Sequence, residues 1–446
     1  MTIHPAPTAS WRPLVTDPEE RARIVAIVDD IAAAVAASPQ PDDGVDALCD
    51  RALLMGYLGH DDHGDVGAAA LSAAVARVAD SDAGVALFGG AARLGWVVAH
   101  MATGAEADAL CDAIDDLLGD SLAGPCDGDY DLISGLVGLG VYALERCESA
   151  SGRALALRVL DHLEHRAEPA GPGLAWFTRP ALLVPWQRAL APHGYYNLGL
   201  AHGIPGVIAL LARYADAGID AARARTLLDG AVTYLLSAAP PRPTPGAGRY
   251  PHWLPRGIEG TPRRPSELPA WCYGDLGVSV ALLSAARACE NPDWHADAMA
   301  LATSVALRTD DEASMVDTSL CHGAAGAAHM FNRLYQASGD PAMAAAARRW
   351  LSRTLELRRG PGLIGFPARR SAPDGSTVWR PDASLLVGAP GVALMLHAAT
   401  SDAEPRWDRL LLADIPPRAH DRDEHQPDTT LITGAGSQPL RCDSQP

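Results

Sequence analysis

The chain has 446 residues, of which 48% are hydrophobic and 20% are charged, and its formal net charge at pH 7 is -18. This excess of negative charge argues against nucleic acid or an anionic membrane surface as a partner, because both would repel it. Residues 1–13 lack the basic start and apolar run of a signal peptide, and no uncharged apolar stretch reaches membrane-spanning length. The 8 cysteines show no short framework spacing, so we predict a cytoplasmic protein with reduced thiols.

The predicted elements along the chain are helices, which the abundance of Ala and Leu also favours. Residues 24–37 form an amphipathic pattern, and later helices are predicted at 207–217, 221–236, 278–289 and 341–357. A G-x-x-G step before an apolar run recurs, starting at Gly135, Gly203, Gly274, Gly323 and Gly388. A degenerate copy lies at 88–90, with Arg93 in place of the second glycine. The recurrence predicts stacked helical hairpins whose glycine-marked ends converge, with little strand.

Two insertions and a polar tail interrupt this pattern. Residues 168–196 are rich in Pro, Trp and Gly, and residues 240–269 contain Arg263 and Arg264. Loops of this length are typically functional or disordered, and their tryptophans favour ordered loops that line a cleft. We predict one domain over residues 1–400 and a largely irregular tail over 401–446, where His420 and His425 are expected to be solvated.

Two strings place a soft metal ligand just before a G-x-x-G step: W-C-Y-G-D-L-G at 271–277 and S-L-C-H-G-A-A-G at 319–326. Cys272, Cys321 and His322 together form a set that suits zinc and leaves a fourth position for water or substrate. The alternative is two buried core cysteines and a capping histidine. The residue types and the repeat register leave both interpretations open.

Three further residues are candidates for catalysis. His202, in L-A-H-G-I-P-G, is a general acid or base, a fourth zinc ligand or a capping histidine. Asp131 is an N-terminal cap or a carboxylate that orients and charges His202. Tyr273, next to Cys272, is a packing aromatic or a proton donor near the metal.

In these motifs the sequence resembles the lanthionine synthetase C-like family, the cyclases of lanthipeptide biosynthesis. The likeness runs from about residue 80 to 398, on D-L-I-S-G at 131–135, L-A-H-G-I-P-G at 200–206, W-C-Y-G at 271–274, C-H-G at 321–323 and S-L-L-V-G-A-P-G at 384–391. It implies an all-α fold, an α,α-toroid with a double layer of six or seven helical hairpins. It also implies one Zn²⁺ per chain, held by Cys272, Cys321 and His322, with acid/base roles for His202 and Asp131 and with Tyr273 beside the metal.

The implied reaction is intramolecular Michael addition of a precursor-peptide cysteine to dehydroalanine or dehydrobutyrine, which forms a lanthionine or methyllanthionine ring. The implied partners are the dehydrated precursor peptide, a lantibiotic-type dehydratase and an exporter. Two alternatives stay open: a zinc enzyme that adds glutathione or another thiol to dehydroamino acids, and a non-catalytic zinc scaffold. Many family members carry arginine four residues before the first zinc cysteine, where this chain has Leu268, and Arg263 or Arg264 are the candidates to replace it.

Overall fold

The structure is a computed structural model that describes residues 2–3, 11–38, 43–59, 61–80, 83–239, 248–257, 266, 268–309, 313–372 and 374–418. Its α-helices are α1 (Pro18–Ala36), α2 (Val45–Leu58), α3 (Asp61–Asp80), α4 (Ala91–Met101), α5 (Ala105–Ser121), α6 (Leu136–Glu145), α7 (Ala150–Arg166), α8 (Pro185–Leu190), α9 (Ile204–Asp216), α10 (Ala221–Ala238), α11 (Asp275–Ala288), α12 (Pro292–Ala306), α13 (Ala324–Ser338), α14 (Pro341–Glu356) and α15 (Ala389–Thr400). Its strands are β1 (Thr2–Ile3), β2 (Ala102–Thr103), β3 (Ala167–Ala170), β4 (Gly173–Thr178), β5 (Tyr195–Asn197), β6 (Trp253–Pro255), β7 (Ala368–Ser371) and β8 (Thr377–Arg380). Short 3₁₀ helices lie at Pro180–Leu182, Gly362–Gly365 and Arg406–Leu411.

Seven of these helices form a closed inner ring. Each contacts the next in the order α2, α4, α6, α9, α11, α13 and α15, and α15 contacts α2. An outer helix packs against each inner one: α3, α5, α7, α10, α12 and α14 follow their partners in sequence, whereas α1 packs on α15. Every residue of α9 from Ile204 to Ala215 is buried, whereas α10 buries only one face. The prediction of an all-α toroid is confirmed: among the described helices, six inner–outer pairs are hairpins, and α15 with α1 forms a seventh pair from opposite ends of the chain.

Although the inner helices are strongly apolar, none of the helices in the described part of the chain is both long and apolar enough to cross a membrane.

Glycine at the second position of each step lets the preceding turn fold back onto the start of the inner helix. A Cβ atom on Gly206 would overlap with the carbonyl of Leu200, and one on Gly326 would overlap with the carbonyl of Leu320. Since the same packing recurs in successive repeats, the turns before the helices converge at one end of the ring.

The degenerate copy at 88–90 also starts an inner helix, α4, as its position predicted. Arg93, which stands where the second glycine would be, is fully buried and forms an ion pair with Asp50 of α2. The other oxygen of Asp50 accepts a hydrogen bond from the amide of Leu385, 2.7 Å away. α2 itself begins after Gly44 without a G-x-x-G step, so the repeat pattern did not predict this inner helix.

The two insertions contain a small antiparallel sheet with the strand order β3-β4-β5-β6. Tyr196 of the first insertion pairs with Leu254 of the second, which joins the two segments. The sequence showed no signal for these strands, because strands of three to six residues are too short to show a clear alternation. Arg263 and Arg264 lie outside the described residues.

Residues 401–418 belong to the domain, which corrects the predicted boundary at 400. Trp407 and Leu410 are fully buried, and the Trp407 ring stacks on His329 of α13 with centroids 4.5 Å apart. The buried Arg333 binds both carboxylate oxygens of Asp408, at 2.6 and 2.8 Å. Asp408, one of the charges of this segment, is therefore paired inside the protein. His420 and His425 lie outside the described residues.

Candidate metal centre and reaction site

Backbone hydrogen bonds between neighbouring turns bring distant residues together at the ring's glycine-marked end. The amide of Leu132 donates to the carbonyl of Ala201 at 3.1 Å, and the amide of Ala201 donates to Cys272 at 3.4 Å. The amide of Cys272 donates to Cys321 at 3.2 Å, and that of Cys321 donates to Leu386 at 2.8 Å. Because these residues occupy equivalent or adjacent positions of successive repeats, the repeat register itself aligns the candidate side chains.

Cys272, Cys321 and His322 offer three ligand atoms that all lie within 4.8 Å of one another. The structure thus brings together the three residues that the sequence predicted as zinc ligands. A hydrogen bond from Cys321 lowers the pKa of the Cys272 thiol to about 5 against the effect of burial, and a hydrogen bond from His322 acts in the same direction. Two sulfurs, one of them readily ionised, and an imidazole are a donor set that fits zinc with one position left open.

The His202–Asp131 pair lies in the neighbouring turns. Nδ1 of His202 is 2.6 Å from Oδ2 of Asp131, and the other Asp131 oxygen accepts hydrogen bonds from the Ser134 amide and hydroxyl at 2.8 and 3.2 Å. Burial alone would lower the pKa of His202, but the hydrogen bond and the charge of Asp131 outweigh it and raise that pKa. The His202 side chain is 41% exposed and that of Asp131 is 4% exposed, so a buried carboxylate favours the protonated form of an accessible imidazole.

Tyr273 lies between two histidines. Its ring centroid is 5.9 Å from that of His202 and 4.7 Å from that of His252. The Tyr273 hydroxyl accepts a hydrogen bond from Nδ2 of Asn197 at 2.9 Å. Burial raises the pKa of Tyr273 far above its ordinary value, so the phenol stays protonated. The geometry places Tyr273 beside the candidate reaction site, and its catalytic role stays a prediction.

Sequence reasoning missed His252, which belongs to the second insertion. Its Nε2 lies 3.0 Å from the Ser266 hydroxyl, and burial lowers its pKa. Asp275 anchors this segment, because its buried carboxylate accepts hydrogen bonds from the amides of Arg249 and Tyr250 at 2.8 and 2.9 Å. Asp275 lies in the W-C-Y-G-D-L-G string, and a charged residue at a buried helix start was the available signal.

Leu268 occupies the position where many family members carry arginine, and its partly buried side chain packs against the core. Its carbonyl accepts a hydrogen bond from the Ser266 hydroxyl at 3.4 Å, so this backbone is tied to the loop that also holds His252. The leucine side chain brings no charge to this position, and the candidate replacements at 263 and 264 are not among the described residues.

The family described as "Lanthionine synthetase C-like protein" matches residues 52–412 of this chain. The chain belongs to the lanthionine synthetase C-like family. A solved structure titled "Nisin cyclase" is similar to this family member with a TM-score of 0.69 and 16% identity, over 89% of this chain and 98% of that chain. At this identity the likeness concerns the fold. None of the curated proteins matches the chain.

The family prediction is thereby confirmed, and the match extends beyond the predicted range of 80–398 at both ends. Its C-terminal limit at 412 agrees with the burial of Trp407 and of residues 410–412 in the core. Family membership and the toroidal fold together support the prediction that this family member is an enzyme of the lanthionine cyclase type.

Proposed function

We propose that this family member is a zinc-dependent lanthipeptide cyclase, which adds cysteine thiols of a dehydrated precursor peptide to dehydroalanine or dehydrobutyrine. The observation that carries the proposal is the juxtaposition of two groups of residues. Three soft ligand atoms lie within 4.8 Å of one another, and the His202–Asp131 pair lies in the adjoining turns. A purely structural zinc site needs no accessible imidazole whose protonated form is favoured by a buried carboxylate.

Cys272, Cys321 and His322 are the residues that would hold the zinc ion. When bound, zinc would favour the thiolate form of a substrate cysteine, whose ordinary pKa of about 8.5 leaves it mostly protonated at neutral pH. His322 is 39% exposed and His202 is 41% exposed at their side chains, so a peptide can reach this face of the site from solvent.

In the proposed reaction, His202 supplies the proton that completes the addition. The thiolate sulfur forms a bond to the β-carbon, the double-bond electrons move towards the carbonyl as an enolate, and the α-carbon then takes a proton. Nδ1 of His202 is engaged by Asp131, which leaves Nε2–H as the donor. The proton released by the substrate thiol restores the imidazolium, so the product has the mass of the substrate.

A synthetic peptide with one cysteine and one dehydroalanine tests the proposal. Zinc-loaded protein should consume the free thiol without a change in peptide mass, and metal-stripped protein should not. If the free thiol of the peptide persists in the presence of the zinc-loaded protein, the proposal is wrong. If glutathione is present and the peptide gains its mass, the chain is instead an enzyme that adds external thiols.

The scaffold alternative is tested with His202→Ala. This variant should retain zinc and the fold but lose thiol consumption, whereas a scaffold whose zinc is structural would show no difference between the variant and the wild type. The dehydratase, the exporter and the cytoplasmic location stay predictions.

A further inference from the structure

An acidic or amide residue recurs six positions before the first glycine of the step. These residues are Asp129, Asn197, Asp317 and Asp382. In each, one side-chain oxygen accepts a hydrogen bond from a backbone amide one or two residues further on; these amides belong to Tyr130 (2.7 Å), Gly199 (2.9 Å), Ser319 (2.9 Å) and Ser384 (2.9 Å). This contact shapes the turn and is shared by all four repeats. In Asn197, Asp317 and Asp382 the remaining side-chain atom makes a contact that differs between repeats.

In the Asp317 repeat the second oxygen reaches a candidate zinc ligand. Oδ2 of Asp317 lies 3.4 Å from Nε2 of His322. Oδ1 of Asp317 accepts from the Ser319 hydroxyl at 2.8 Å, and that hydroxyl oxygen accepts from the His322 amide at 3.2 Å. His322 is thereby tied to one carboxylate through both its ring and its backbone.

The residues around Asp317 leave room for its carboxylate below the His322 ring. Its side chain is 7% exposed whereas that of His322 is 39% exposed, so the carboxylate lies beneath the imidazole rather than at the opening. A Cβ atom on Gly323 would overlap with Oδ1 of Asp317. At the equivalent Gly388 the nearest atoms would all belong to the backbone of residues 382 and 384.

We propose that Asp317 is a positioning residue of the metal centre, which accepts the Nε2–H of His322 and so presents Nδ1 to the ion. A carboxylate can only accept, and a neutral imidazole has one donor and one acceptor nitrogen, so this contact selects both the tautomer and the ring orientation. Outer partners of this kind typically contribute 10- to 100-fold in metal affinity. The inference rests on the proposed function only in taking zinc as the ion.

Asp382 provides a matched control, because it makes the same turn without a ligand to orient. Its Oδ1 accepts from the Ser384 amide and hydroxyl as Asp317 does from Ser319, and its Oδ2 pairs with Arg370 at the surface. Asp317→Asn and Asp382→Asn therefore perturb equivalent turns. They differ in whether the lost oxygen faces a zinc ligand.

Zinc affinity, measured by competition with a chromogenic chelator, is the first test. We expect Asp317→Asn to bind zinc about 10- to 100-fold more weakly and Asp382→Asn to bind as the wild type does. Circular dichroism of the metal-free proteins checks that each variant is folded. Wild-type affinity in Asp317→Asn, or an equal loss in Asp382→Asn, overturns the inference.

A second measurement needs no variant. Long-range ¹H–¹⁵N correlations of zinc-loaded, histidine-labelled wild-type protein report which ring nitrogen of His322 carries the proton. We expect the proton on Nε2, and a proton on Nδ1 overturns the inference. Both tests concern zinc binding alone, so a protein that binds zinc in this way but forms no thioether would refute the proposed function and leave this inference standing.

Discussion

Replacing Asp131 by asparagine tests the proton-donor role of His202 without touching the metal ligands. The amide keeps the size of the side chain and an oxygen for the Ser134 amide, which lies 2.8 Å from Oδ1. It removes the negative charge that Oδ2 places 2.6 Å from Nδ1 of His202. A hydrogen bond to a charged group contributes about 1.5–3 kcal/mol. Because the His202 side chain is 41% exposed, solvent screening favours the lower limit. We expect a loss of about 1.5 kcal/mol in transition-state stabilisation, or roughly tenfold in rate.

The size of this loss depends on pH with a defined sign. Burial opposes protonation of His202, but the hydrogen bond and the charge of Asp131 raise its pKa above the ordinary value. The imidazolium of the wild type therefore persists to higher pH, and the donor is lost as the pH rises through the raised pKa. In Asp131→Asn the imidazolium is lost at lower pH, so the falling limb of the pH–rate profile shifts to lower pH. The ratio of the wild-type rate to the variant rate therefore grows towards high pH.

The assay is thiol loss from the synthetic peptide between about pH 5 and pH 8, the range in which an imidazole changes charge. Zinc content is measured alongside and should equal that of the wild type. If the rate falls by the same factor at every pH, or if the falling limb moves to higher pH, Asp131 does not act by charging His202.

Three further predictions concern the metal and the core. Cys272→Ser should lower zinc content well below one ion per chain and abolish thiol consumption. If metal analysis finds the same zinc content as in the wild type, Cys272 is not a zinc ligand. Trp407→Ala should cost about 3–5 kcal/mol in urea unfolding, because the ring is fully buried. The control, Trp186→Ala, removes a side chain that is 58% exposed and should change stability by about 0.5 kcal/mol at most; equal effects would show that residues 401–418 lie outside the cooperative core. Gly326→Ala should lower the melting temperature, since its Cβ would overlap with a carbonyl in the turn that carries two ligands; an unchanged melting temperature would refute this packing argument.

Local signals in the sequence predicted converging helical hairpins and the six candidate site residues, and the resemblance to the family added the toroid. Glycine steps mark helix starts that need close backbone approach, and short motifs around them hold Cys272, Cys321, His322 and His202. Hydrogen bonds between neighbouring turns bring these residues together. These bonds recur with the glycine steps, so they follow from the repeat register.

Sequence reasoning missed residues whose local sequence is typical of ordinary turns or surface positions but whose side chains make buried or site-directed contacts in the structure. Asp317 reads as an ordinary turn residue, because a side-chain oxygen that accepts a backbone amide is found in many turns. Asp408 and Arg333 are charged, and nothing local distinguishes a buried ion pair from two solvated charges. Strand β6 has three residues, too few to define a period.

The pairing of α1 with α15 has a consequence for how this protein is made. The Trp11 indole donates to the carbonyl of Ala398, 387 residues away, at 2.8 Å, and the Leu14 amide donates to Ala399 at 2.8 Å. The ribosome releases α15 after all the other helices of the ring. Until then the ring cannot close, and the apolar surfaces that pack against α15 stay exposed. The Cys272 and Cys321 turns belong to successive repeats and leave the ribosome before that point. The candidate metal ligands are thus all synthesised before the ring can close.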